Sequence, residues 1–154
     1  MQRVNIGIIG LGGIGGLLAI LLSNKGYKVF TSKKIKKNSI LSLKSKFYGN
    51  LKTKIEFDKT LKKSDLIFIC SKYPYLKKHL KFISNKKALV LPFLNGLSHF
   101  KILQKKFGDK LLISKIGKVI SKKINTNLFI HESKNRPEVL INFSGTIKYE
   151  KKNL

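Results

Sequence analysis

The chain has 154 residues, 42% of them hydrophobic, which suits one domain with a sizeable core and excludes wholesale disorder. Thirty-three Lys and Arg stand against seven Asp and Glu, a formal charge of +26. One cysteine, Cys70, excludes a disulfide framework and fits a reducing, cytoplasmic setting, and no Cys/His cluster has the spacing of a metal site.

The charge alone assigns no partner. Of the basic residues 31 are Lys, scattered along the chain, and only Arg3 and Arg136 are Arg, the residue that nucleic-acid readers favour. The sequence also holds 19 Ile and 11 Asn but 2 Ala, a bias that AT-rich codons produce as readily as selection for a basic surface.

From Val4 to Leu22 the sequence is almost wholly apolar, as a signal peptide or spanning helix would be. Six glycines between Gly7 and Gly16 argue against membrane insertion, since a helix tolerates that density poorly. The pattern predicts a buried strand over Val4–Ile9, a glycine turn and a helix from about Ile14 to Asn24, closed by Gly26. A second strand runs from near Tyr27 to Thr31. The Lys-rich stretch Lys33–Lys46 offers Ile35, Ile40, Leu41 and Leu43 as a loose helical face. Ile55–Phe57 reads as a short strand, Leu66–Cys70 as a strand buried on both faces, and Tyr75–Ile83 as a helix. Ala88–Leu91 is another buried strand. Ser98 is placed to cap a helix ending at Phe107 and Gly108, and Leu111–Ser114 is a further strand. In the tail, Val119–Ile120, Leu128–His131 and Val139–Phe143 read as short strands joined by polar turns. The alternation predicts an α/β, Rossmann-type doubly wound domain, 1–154, with a mainly parallel sheet and short antiparallel strands at its carboxyl end.

Gly10-Leu11-Gly12-Gly13-Ile14-Gly15 fits G-x-G-x-x-G between a predicted strand and a predicted helix, the context that makes the string a dinucleotide fingerprint. Gly10 permits the tight turn, Gly12 removes the Cβ that would block a pyrophosphate, and Gly15 lets helix and strand approach. NAD binders usually carry Asp or Glu about 20 residues further on, bonded to the ribose. Here Thr31-Ser32-Lys33-Lys34 occupies that point and the first acid in the sequence is Glu56, which favours the 2′-phosphate of NADP(H).

Two later segments extend the pattern. Ser64–Cys70 is followed by Ser71-Lys72-Tyr73, and Ala88–Leu91 leads to Asn95-Gly96-Leu97. With Gly10–Gly15 they resemble the ketopantoate reductase (2-dehydropantoate 2-reductase) family, and the tail around His131 is similar to that family's hairpin region. The resemblance implies that Gly10, Leu11, Gly12, Gly13, Ile14 and Gly15 cradle the NADPH pyrophosphate and that Lys34 meets the 2′-phosphate. It implies that Lys72 lies along the cofactor and Asn95 beside the nicotinamide and a 2-keto acid. It further implies hydride transfer to 2-dehydropantoate in pantothenate synthesis, with the general-acid lysine on a second, helical domain to which no residue here can be matched.

That domain is expected from a separate chain or from the rest of a longer protein, or its surface is met by a homodimer partner. A non-catalytic NADP-binding remnant or subunit is the alternative reading, and a basic nucleic-acid-binding module a distant one. His79, His99 and His131 read as surface or structural histidines, and Cys70 as a core residue.

Overall fold

In the computed structural model, which describes residues 4–36, 39–94, 98–133 and the backbone of 139–142, the chain opens with β1 (Asn5–Ile9) and α1 (Gly13–Asn24). There follow β2 (Lys28–Thr31), the hairpin β3 (Leu41–Ser45) and β4 (Gly49–Thr53), β5 (Glu56–Phe57) and β6 (Leu66–Ile69). A helical crossover contains α2 (Leu76–His79) between 3-10 turns, and leads to β7 (Leu89–Pro92), α3 (Phe100–Phe107) and β8 (Ile113–Ile116). Strands β9 (Ser121–Lys123), β10 (Leu128–His131) and β11 (Val139–Asn142) complete the order.

Five strands form a wholly parallel sheet in the order β5-β2-β1-β6-β7. The chain builds outward from β1 on one side and then returns to build on the other, so the topological switch lies between β1 and β6. Ile8, Ile9, Ile67, Ile69, Val90 and Leu91 are fully buried, as strands covered on both faces require. Each such side chain contributes about 1.5–3 kcal/mol against exposure. Leu111 makes one parallel bridge to Val90, beyond which β8 pairs antiparallel with β11.

A second sheet, β4-β3-β10-β9, covers the outer side of α1. Here the structure corrects the sequence reading: Lys33–Lys46 is not a helix. Its described residues run irregularly to β3, in which Leu41 and Leu43 are buried and Ser42 and Lys44 are not, a period of two. Ser45 then accepts the N–H groups of Phe47 and Tyr48 through Oγ at 3.1 and 3.0 Å and turns the chain into β4. Strand β3 pairs antiparallel with β4 and parallel with β10.

The second sheet also accounts for the apolar amino end. With sheets on both sides, α1 needs no polar face and is buried at Gly15, Gly16, Leu17, Ala19 and Ile20. Its end is as expected: Gly26, at φ +87°, takes the left-handed position after the last turn, with its N–H on the Ser23 carbonyl.

Smaller differences follow from short elements. Tyr75–Ile83 is one α-turn between 3-10 turns, around Leu76 and Leu80. Ser98 does not cap α3, which starts after the buried His99. The strand expected at Val119–Ile120 begins instead at Ser121, and that expected at Leu111–Ser114 is displaced to Ile113–Ile116.

A Cβ on Gly16 would overlap the ring of Phe129 on β10. Gly16→Ala should therefore lower the unfolding free energy by about 1–3 kcal/mol in urea denaturation. Because the clash is shared, Gly16→Ala with Phe129→Leu should lose less than the sum of the two single changes. Additive losses would show that the ring does not set this spacing.

Candidate functional site

The carboxyl ends of β1 and β6 meet at the switch point, and the glycine turn lies across them. Gly10 has φ +90°, open to glycine but strained for other residues, and a Cβ there would come 2.7 Å from the Ser71 nitrogen. A Cβ on Gly15 would overlap the Gly10 carbonyl, so α1 starts as close to β1 as the backbone allows. At Gly12 the same construction meets nothing within 4 Å: the turn opens here onto free space.

Gly12 is also the residue before α1, and its carbonyl accepts the Gly16 N–H at 2.9 Å. The amides before Gly16 have no partner within the helix, no side chain caps them, and the first turn holds no acid. They present a positive dipole end suited to an anion.

A cleft of about 560 Å³ lies over this turn, walled among others by Gly12, Gly13, Ser71, Lys72, His79 and Ser121. Gly10, Ile14, Phe93 and Leu94 also line it. The structure thus brings Gly10, Gly12, Gly13, Ile14 and Lys72 together, while Leu11 is buried in the core and Gly15 lies behind the turn. Lys72 is exposed at the mouth, where its carbonyl accepts the Tyr75 N–H at 3.0 Å. Lys34 is exposed beyond the end of β2 and is not part of the cleft wall. Asn95 and the two residues after it lie outside the described residues.

Sequence reasoning missed Ser71, His79, Ser121 and Lys123. Ser71 is buried in the wall and its Oγ has no hydrogen-bond partner among the described residues, as is true of His79 Nδ1. Burial, followed by the charge of Lys78, lowers the His79 pKa and so favours the neutral ring, which has one donor and one acceptor. Strand β9 is fastened over the turn: Ser121 Oγ donates to the Gly13 carbonyl at 3.0 Å and Lys123 Nζ to the Leu11 carbonyl at 3.1 Å.

A larger concavity of about 930 Å³ opens at β3 and β10, with no residue of the glycine turn in its wall. His131 there is buried and bonded through Nδ1 to Ser45 Oγ at 3.0 Å. Since Ser45 already accepts two backbone N–H groups, its hydroxyl donates to this nitrogen. That is a structural histidine, as expected.

The model of the family described as Ketopantoate reductase PanE/ApbA matches residues 6–137. The chain belongs to this family. Among solved structures, 2-dehydropantoate 2-reductase from Geobacter metallireducens GS-15 is 16% identical with a TM-score of 0.75, over 90% of this chain and 49% of that one. The enzyme of the same name from Methylococcus capsulatus is 15% identical with a TM-score of 0.77, over 90% of this chain and 48% of that one. D-mandelate dehydrogenase, solved with NADH and anilino(oxo)acetate, is 20% identical with a TM-score of 0.72, over 88% and 47%. At these identities the likeness is one of fold, and the chain spans about half the length of these proteins. No curated protein matches the sequence. Among the described residues no helix is long and apolar enough to cross a membrane.

Two side chains at the site lend themselves to measurement. Burial pushes the Cys70 thiol up to about 12, so the native protein should react with a thiol reagent at pH 8 at least tenfold more slowly than the unfolded chain. Equal rates would place the thiol in water.

Burial, then the neighbouring Lys33 ammonium, holds the Lys123 pKa down from 10.5 to about 8. The unfolded chain keeps the ordinary value, so between pH 8 and 10.5 it binds more protons than the folded one. Stability from this group is therefore lowest below pH 8 and is regained as pH rises. Melting curves of the wild type and Lys123→Met should shift in the wild type's favour from pH 7 to 10; a constant difference would contradict this.

Proposed function

We propose that the chain is the cofactor-binding half of an NADPH-dependent reductase of the 2-dehydropantoate 2-reductase type, acting on a 2-keto acid in the cytoplasm. The observation that carries this reading is the uncapped, acid-free start of α1 at the switch point, opening at Gly12 onto a cleft. Family membership and the NADH bound to D-mandelate dehydrogenase support a nicotinamide dinucleotide as the occupant.

In this reading the amides of Gly13, Ile14 and Gly15, together with the open space at Gly12, receive the pyrophosphate. Ser71 Oγ, buried in the cleft wall, is available as a further donor. Lys33 and Lys34 follow β2 where NAD binders carry an acid, which supports a 2′-phosphate over a bare ribose. Lys72 lies along the bound cofactor, and Asn95 orients the nicotinamide and the keto acid. When bound, such a cofactor supplies a hydride to the keto carbon. The alkoxide that forms needs a proton, and the family resemblance assigns its donor to a lysine on a helical domain outside residues 1–154. That domain, on a separate chain or in a longer protein, completes the substrate site. Without it the chain binds the dinucleotide and does not turn over, which is the subunit or remnant reading.

Titration of the purified chain with NADPH and NADH at moderate salt, followed by cofactor fluorescence, tests the proposal. NADPH should bind more tightly than NADH, and Lys34→Ala should weaken NADPH severalfold. Binding of neither cofactor would overturn the reading.

A further inference from the structure

Two backbone carbonyls of the glycine turn find their side-chain partners on β9, 112 and 108 residues further along the chain. Lys123 Nζ donates to the Leu11 carbonyl at 3.1 Å, and Ser121 Oγ to the Gly13 carbonyl at 3.0 Å. The two contacts differ in what they add. Gly13 is the first residue of α1, so the helix already fixes the direction of its carbonyl. The Leu11 carbonyl lies outside the ladder, whose first bond runs from the Gly16 N–H to Gly12. Among the described residues Lys123 is its only donor. The Leu11 side chain is buried, which anchors the residue but not the peptide plane that follows it. That plane has room to turn: glycines flank Leu11 on both sides, and nothing lies within 4 Å of where a Gly12 Cβ would stand.

A trans peptide is planar, with its N–H pointing opposite to its C=O, and none of the described peptides is cis. A donor on the Leu11 carbonyl therefore also sets the Gly12 N–H, and one on the Gly13 carbonyl sets the Ile14 N–H. Gly12 and Ile14 line the cleft, whereas Lys123 is not part of its wall. Turned over, the Leu11 peptide would show an anion its carbonyl oxygen instead of its N–H. We propose that Lys123 and Ser121 are positioning residues for the anion-binding turn: by holding the Leu11 and Gly13 carbonyls, they aim the Gly12 and Ile14 N–H groups at the pyrophosphate. This rests on the dinucleotide reading and deepens it, since it names what sets the donors before a ligand arrives. The ammonium acts through the backbone and touches no ligand atom. Its charge still counts, because a cation on a carbonyl oxygen polarises the peptide and strengthens the N–H at its other end as a donor. Donors held in advance need no reorganisation when the phosphates bind.

The test is an NMR titration of the isotope-labelled chain, with ADP as the diphosphate probe and adenosine as the control that lacks it. In the wild type, ADP should move the Gly12 and Ile14 amide proton resonances downfield, and adenosine should not. Lys123→Met should abolish the shift at Gly12 and leave that at Ile14, whereas Ser121→Ala should reduce that at Ile14 and leave Gly12. Lys123→Met should weaken ADP, NADH and NADPH each about tenfold and Ser121→Ala about threefold, with adenosine unchanged within about twofold. Lys123→Arg keeps donor and charge and should restore ADP binding to within about threefold of the wild type. The ratio of wild type to Lys123→Met should be the same at low and high salt, since salt screens a charge acting through solvent but not a bond to a carbonyl. Lys122→Met, on the same strand but paired with Glu132, should match the wild type. A loss that shrinks as salt rises, or one equalled by Lys122→Met, would mean that Lys123 acts on the ligand as a charge. Either result, or a Gly12 shift that survives in Lys123→Met, overturns the proposal while the dinucleotide site stands. Should Lys123→Met fail to fold, Ser121→Ala decides, and an unchanged Ile14 response overturns the proposal. A wild-type chain that binds neither ADP nor either dinucleotide overturns the dinucleotide reading and the proposal with it.

Discussion

Helix α1 is held between two sheets, and the contact that sets its place is that of Gly16 with the Phe129 ring on β10. Two requirements meet in this helix. Its start has to approach β1 closely enough to turn its amides toward the switch point, which Gly10 and Gly15 allow. Its outer side has to approach the second sheet, which Gly13 and Gly16 allow: a Cβ on Gly13 would overlap the Ser121 carbonyl of β9. The run Gly12-Gly13-Ile14-Gly15-Gly16 therefore serves a ligand-facing turn and two packing interfaces within one and a half helical turns.

Because β9 lies over the turn, the electrostatics of the site differ from those of the rest of the surface. In a chain of 31 lysines most ammonium groups are solvated and separated, and such groups interact weakly. Lys123 is partly buried against the Leu11 carbonyl and the Phe129 ring, and burial, followed by Lys33, lowers its pKa. The net charge of +26 assigns no partner by itself, whereas the bond of Lys123 to the glycine turn is a particular contact.

The parallel sheet was legible in the sequence because its strands are short apolar runs separated by turn residues: β1, β2, β6 and β7 stand within one or two residues of expectation. The glycine turn was legible for the same reason, since strand, fingerprint and helix are contiguous. The hairpin was not. In Leu41–Ser45 the alternation covers only two buried leucines, and the neighbouring Ile35 and Ile40 suggested a helical spacing that the structure does not use. Strand β4 carries one apolar residue, Leu51, among Asn50, Lys52 and Thr53, and gives no periodic signal. Lys123 and Ser121 could not be found from sequence, because their role depends on which carbonyls β9 crosses.

The parallel pairing of β3 with β10 joins segments 86 residues apart. Contacts of that separation slow folding, because the loop must close before the pairing is rewarded. A nascent chain can make β1, α1 and β2 early, but the outer side of α1 stays bare until Leu128–His131 has been synthesised. During that interval the most apolar segment of the protein faces water. The first turn of α1, already formed, does not acquire its cover of Ser121 and Lys123 until β9, about a hundred residues later, has been made.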